Sequence, residues 1–191
     1  MQNKIREIVA SSIDVKNKVL NDNALLKTID EVTSLIITAF KKGNKVLFCG
    51  NGGSAADAQH LAAEFSGRFY KDRKPLPSEA LHCNTSYLTA VANDYGYDEV
   101  YSRVVAGTGK EGDVLIALST SGNSVNITKA LQTAGEIGMI TVGFTGEGGG
   151  KMNGLCDHMI KVPSGDTPRI QESHIMIGHI ICQLVEEGFF E

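Results

Sequence analysis

His60 and Glu64 stand four residues apart in the run Ser54-Ala55-Ala56-Asp57-Ala58-Gln59-His60-Leu61-Ala62-Ala63-Glu64. On a helix that spacing puts an imidazole and a carboxylate on one face. Such a pair can move protons beside a carbonyl. Taken alone it also fits an ordinary surface pair, but the alanines around it leave room for a cavity or a close subunit contact. Towards the end of the chain, Gln171, Glu172, His174 and His179 interrupt an apolar stripe of Ile170, Ile175, Ile177, Ile180 and Ile181. At 100° per residue Gln171 and His179 are about 80° apart, so they can flank one site without stacking. His179 is the better candidate of the histidines because Gly178 opens space beside it. His82, His158 and His174 read as structural or exposed.

Two loops could hold the anionic end of a substrate for these groups. Gly50-Asn51-Gly52-Gly53-Ser54 follows an apolar run and opens a helical stretch, and its glycines let backbone N–H groups approach an anion. Ser119-Thr120-Ser121-Gly122-Asn123-Ser124 stands in an equivalent place and offers four hydroxyls without charge. Each loop also fits a plain strand-to-helix turn with an N-cap. Two of them at equivalent strand ends point to one crevice. No Lys followed by Ser or Thr closes the glycine loop, which excludes a P-loop. Gly50-x-Gly52-x-x-Ala55 loosely fits a dinucleotide fingerprint, but the next strand is expected to end at Asn84, where that fold needs an acid. There is no G-x-S-x-G elbow for a serine hydrolase. Asn93-Asp94 adds a polar cluster that by itself is a turn.

The elements that must position these residues follow from periodicity. Ile5, Ile8, Val9 and Ile13 give one helix, oddly apolar for a chain end and suited to packing on its own core or on a neighbouring subunit. Leu25 to Phe40 give a second helix, stopped at Lys41-Lys42-Gly43. Short apolar runs at 46–49, 80–81, 114–118, 139–144 and 158–162 read as strands buried on both faces. Helical stretches at 54–66, 86–91, 98–106, 124–137 and 168–187 alternate with them, which predicts an α/β fold: a parallel sheet sandwiched between helices on both faces. The expectation is a single domain, with a two-helix extension over 1–42 and an α/β core over 43–191. Gly146-Glu147-Gly148-Gly149-Gly150 reads as a flexible loop.

Composition narrows the function classes. The chain has 191 residues, 42 % hydrophobic and 21 % charged, with 18 basic and 22 acidic side chains and a net charge of −4. This is the profile of a soluble globular protein. No run approaches a membrane span, and the first twelve residues carry no secretory apolar segment. The basic clusters, Lys41-Lys42 and the mixed Lys71-Asp72-Arg73-Lys74, make no nucleic-acid footprint. Four scattered cysteines (Cys49, Cys83, Cys156, Cys182) suit a reducing cytoplasm, with the thiols as small core groups. With neither a redox motif nor a covalent nucleophile in view, the residues suit aldose–ketose isomerisation through an enediol.

The segment Gly50 to Glu64 resembles the signature of the bacterial phosphoheptose isomerases, in the sugar-isomerase (SIS) domain superfamily. The resemblance continues through Ala92-Asn93-Asp94-Tyr95-Gly96, Ser119 to Ser124 and Arg169-Ile170-Gln171-Glu172-x-His174, and spans essentially the whole chain. It implies a flavodoxin-like SIS fold and a homotetramer with active sites at subunit contacts. It also implies conversion of sedoheptulose 7-phosphate to D-glycero-D-manno-heptose 7-phosphate for surface polysaccharide. By position, Ser119, Thr120, Ser121 and Ser124 would hold phosphate. Asn51, Gly52, Gly53, Ser54, Asn93, Asp94 and Gln171 would contact the sugar phosphate, with Glu64 as base and His179 as acid. The resemblance further implies one zinc ion per subunit at His60, Glu64, Gln171 and His179. A glutamine oxygen is an unusual zinc ligand, and a coordinated Glu64 or His179 cannot freely shuttle protons. Ser78 to Ser86 departs from the family pattern, with Asn84 where an acid is usual. The rival readings are a non-catalytic binding protein of the replication-initiator-associating type, a sugar-phosphate-binding regulator, or an isomerase of another sugar phosphate. Retention of both Glu64 and His179 favours an enzyme over the non-catalytic relative, and the other two readings are weakened because no helix-turn-helix segment or amidotransferase domain is in view.

Overall fold

The apolar runs form five short strands whose residues alternate between two cores. In the computed structural model, which describes residues 1–190, they are β1 (Val46–Gly50), β2 (Ser78–Ala80), β3 (Val114–Leu118), β4 (Ile140–Gly146) and β5 (His158–Val162). All pairings are parallel and the order is β2-β1-β3-β4-β5. Period-two side-chain alternation explains how every residue of β1 is buried. Val46 and Phe48 join one core, and Leu47 and Cys49 the other.

Among the described residues, helices cover both faces of the sheet. The first core is closed by α2 (Asn23–Lys41), α3 (Gly53–Ser66) and α7 (Thr167–Phe190), packed through Ile36, Phe40, Phe65 and Ile177. On the other face lie α4 (Thr85–Tyr95), α5 (Val100–Thr108) and α6 (Val125–Ile137), with Tyr101, Ile127 and Leu131 buried. Each such side chain stabilises by about 1.5–3 kcal/mol, and all four cysteines are free. Cys49 and Cys182 are core groups as expected. Cys83, by contrast, is exposed, because it stands on the turn after β2. The first helix, α1 (Gln2–Asn21), buries only Val15 and Val19. Asp22 ends it and caps α2, its side chain accepting from the Leu25 N–H at 3.0 Å. Ile5, Ile8, Val9 and Ile13 stay 47–53 % exposed, an unpartnered apolar stripe.

Two expectations need correction. β2 stops at Ala80, and Asn84 begins α4 as its N-cap, accepting from the Tyr87 N–H at 3.0 Å. Local side-chain capping overrides the strand reading there. The tract 146–150 is no flexible loop either. Gly146 closes β4, Gly149 is buried, and the backbones of Gly149 and Gly150 press directly on Gly122. Gly122 has φ +66°, a conformation that favours glycine, and a Cβ there would run into Gly149. These glycines serve close packing between two loops.

Candidate active site

The strand order reverses between β1 and β3, and ligands of open parallel sheets bind beyond the carboxyl ends at such a point. Both candidate loops leave these two strands. Neither α3 nor α6 has a side-chain cap among the described residues. The start of α6 leaves its first N–H groups available to an anion, whereas at α3 the Ser54 and Ala55 N–H groups already donate to the carbonyls of Asn51 and Gly52 at 3.0 and 3.1 Å. Ser119 Oγ and Ser124 Oγ are 3.2 Å apart, and Ser121 Oγ accepts from the Asn123 N–H. A clasp missed by sequence reasoning joins the loops: Asn51 and the buried Asn126 exchange two amide hydrogen bonds of 2.9 Å each. Tyr97 also donates to Asn51 Oδ1 at 3.2 Å. A cleft of about 320 Å³ opens beside the hydroxyl loop, lined by Thr120, Ser121, Gly146, Glu147, Ser164 and Thr167 among others. A second hollow, of about 270 Å³, lies among Ser34, Thr38, Lys42 and Asn44 and contains none of the candidate residues.

The candidate proton-transfer groups come together where α3 and α7 run side by side in the same direction. Gly53 faces the Gln171 amide, Leu61 faces Gly178, and His60 meets His179. The close approach depends on Gly178, where a Cβ would come within 2.5 Å of Leu61 Cδ1. His60 Nε2 lies 3.0 Å from Glu64 Oε1 and 3.1 Å from His179 Nε2. Glu64 is half-buried and His60 exposed. Burial lowers the His179 pKa, and neighbouring His60 adds to this while Glu64 opposes it. The ring is thus biased towards its neutral form.

Those three residues could hold a divalent ion. Donor atoms of His60, Glu64 and His179 all lie within 4.8 Å of one another. Two imidazoles and a carboxylate are the set that zinc takes in open, catalytic sites. Gln171 is not with them. It stands eight residues before His179, about 12 Å along α7 at 1.5 Å per residue, with its amide against Gly53. Helical side chains lean towards the N-terminus, which carries Gln171 away from the trio. Asn93 and Asp94 are exposed at the end of α4 and bond each other at 2.9 Å. Ser54 is buried at the start of α3.

Among the residues set aside, His174 is fully buried and its Nε2 lies 3.1 Å from the Thr145 carbonyl, to which it donates. Burial pushes its pKa down to about 4, so it is structural, as is His158, 3.8 Å from Glu31. Sequence reasoning also passed over Asp57, one turn before His60. One of its carboxylate oxygens is buried without a partner, and burial raises its pKa.

The profile of the SIS domain matches residues 9–146. The phosphoheptose isomerase of Aneurinibacillus thermoaerophilus is 57 % identical over 190 residues, covering 100 % of this chain and 96 % of that protein. The chain belongs to the phosphoheptose isomerase family. A second member, from Clostridium acetobutylicum, is 54 % identical over 100 % of this chain and 97 % of its own length. Among solved structures, the phosphoheptose isomerase of Neisseria gonorrhoeae superposes with a TM-score of 0.91 at 39 % identity. That alignment covers 97 % of this chain and 98 % of the other. The family fold is therefore the SIS-type parallel sheet described above, and its members are aldose–ketose isomerases.

Proposed function

We propose that the protein converts sedoheptulose 7-phosphate to D-glycero-D-manno-heptose 7-phosphate, a step towards surface polysaccharide in the cytoplasm. The observation that carries this reading is the convergence of Glu64, His60 and His179 downstream of an uncapped helix start. His60 and Glu64 follow Gly53 by seven and eleven residues, about 10 and 16 Å along the helix at 1.5 Å per residue. Helical side chains lean towards the N-terminus, and Glu64 Oε1 reaches back to within 3.0 Å of His60 Nε2. The shorter of these reaches therefore applies to both, and it suits a long sugar whose phosphate is bound at the loops.

In this reading Ser119, Thr120, Ser121 and Ser124 donate to the phosphate with the first N–H groups of α6 and the Gly53 N–H at the start of α3. Asn51, Gly52, Gly53, Asn93, Asp94 and Gln171 contact the sugar chain, while Ser54 steadies the loop. The Glu64 carboxylate takes the proton from the carbon next to the carbonyl, and the freed electron pair forms the enediol double bond. His179 gives a proton to the carbonyl oxygen. Return of a proton from Glu64 to the neighbouring carbon, and of one oxygen proton to His179, completes the isomerisation.

His60, Glu64 and His179 would hold a zinc ion in a resting form from which Glu64 and His179 must be released to move protons, and Gln171 joins that set only if a second copy supplies it. When bound, such an ion supplies a Lewis acid for the sugar oxygens. The exposed stripe Ile5, Ile8, Val9 and Ile13 supports assembly as a homotetramer. Turnover of sedoheptulose 7-phosphate, with product identified by NMR, tests the activity; no aldose product would refute it. Chelation followed by the same assay tests the metal, and unchanged turnover in stripped enzyme would rule out an essential ion.

A further inference from the structure

Below the proton-transfer groups, α3 and α7 are joined by a buried ion pair. Arg73 and Glu186 have side chains only 4 % and 2 % exposed, with Arg73 Nε 2.7 Å from Glu186 Oε2. The Glu186 carboxylate also accepts the backbone N–H groups of Phe69, Tyr70 and Lys71 at 3.1, 2.8 and 2.7 Å. The other end of the arginine fork reaches the last turn of α3. Nη2 donates to the carbonyl of Glu64 itself at 2.8 Å, and Nη1 to that of Phe65 at 2.9 Å. A helix end leaves such carbonyls without intrahelical partners, and that of Phe65 also accepts the Leu76 N–H at 3.0 Å.

The geometry ties both ends of this network to the reaction site. Glu186 follows His179 by seven residues, two turns along the same face of α7. The segment that Glu186 grips carries Phe69, whose ring packs 5.6 Å from the His179 ring. Stability alone is a poor reason for such a pair, because desolvating two charges about cancels their attraction. A fully bonded network does fix geometry, and a misplacement of about 1 Å can cost ~10²-fold in rate.

We propose that Arg73 and Glu186 are positioning residues that set the separation of Glu64 and His179 by clamping the end of α3 to α7. The proposal rests on Glu64 and His179 acting together. The pair touches no part of the phosphate loops, so it governs kcat and leaves KM alone.

The test uses Arg73→Lys and Glu186→Gln, assayed on sedoheptulose 7-phosphate at a temperature where circular dichroism finds both folded. Arg73→Lys keeps the charge but lacks the fork. We expect kcat to fall at least tenfold in each, with KM within twofold. The ¹⁵N side-chain resonances of His60 and His179 should shift, while those of His174 stay in place. A folded variant with kcat within twofold of wild type and unmoved His60 and His179 resonances overturns the proposal. A fall in activity that only tracks the folded fraction overturns it too. If one variant does not fold, the other decides. Glu64→Gln, run alongside, separates the two readings. If it stays active, the assignment of Glu64 fails. If it is inactive while Arg73→Lys is fully active, only the positioning role fails.

Discussion

Replacing Glu64 by Gln removes a proton acceptor and almost nothing else. The amide has the carboxylate's shape but cannot take a proton from carbon. Loss of a general base typically costs ~10²–10⁴ in rate, about 3–5 kcal/mol of barrier. The fold should hardly notice. Glu64 is 22 % exposed and its pair with the half-exposed His60 is of the kind worth about 0–1 kcal/mol. The phosphate loops begin about 16 Å away along α3 at 1.5 Å per residue, so substrate affinity should survive. The assay follows turnover by NMR in D₂O, with deuterium uptake at the carbon beside the carbonyl as the direct report of proton abstraction. Zinc content is measured on the same sample. Turnover within tenfold of wild type would refute Glu64 as base. Activity restored by added zinc would reassign it to holding metal.

Ser119→Ala should raise KM several-fold with little change in kcat, because the hydroxyl facing Ser124 is assigned to the proposed anion site; an unchanged KM contradicts that role. Gly178→Ala forces a methyl to within 2.6 Å of both Leu61 methyls in a closed core. It should cost about 1–3 kcal/mol in denaturant unfolding and lower kcat by displacing His179. Wild-type stability and kcat would sink that account. His174 is held near pKa 4, against 6.5 for the free ring. Between these values the unfolded chain binds the extra proton, so stability falls as pH drops, by about 2 kcal/mol from pH 7 to 5 at ~1.36 kcal/mol per unit. Urea titrations at the two pH values should give a flatter dependence in His174→Gln, and equal slopes would refute the assignment. Ketose phosphates two carbons shorter should bind but turn over at least tenfold more slowly; equal kcat would break the link between sugar length and the position of Glu64.

Most of the fold was legible because burial leaves a period in the sequence. Runs such as Val114–Leu118 lie between two cores and have no polar face to confuse the reading. The loops after β1 and β3 were legible because their glycines and hydroxyls lie at adjacent positions in the chain. What escaped was long-range and polar. Asn126 looks like any early helix residue until its partner 75 positions away is known. Arg73 sits among Lys71, Asp72 and Lys74, a charge run that reads as solvent-facing, and its carboxylate comes 113 residues later. The glycines at 146–150 misled because composition cannot tell freedom from close packing. Here the chain uses them where two backbones touch.

The parallel run of α3 and α7 explains why anion binding and proton transfer are separated yet coupled. Both helices begin at the carboxyl edge of the sheet, with Gln171 beside Gly53, and stay in step as far as His60 and His179. Helix rise therefore acts as a ruler. In the proposed reaction, a substrate held at one end by N–H groups and hydroxyls would meet the carboxylate of a residue about three turns further on. Such a ruler works only if the helices cannot slide, and three contacts prevent it. The Gly53–Gln171 contact fixes the first turn, and the Leu61–Gly178 contact the middle. The Arg73–Glu186 bond closes the far end. A one-turn slip would move the imidazole by 5.4 Å, so this register sets what the carboxylate can reach.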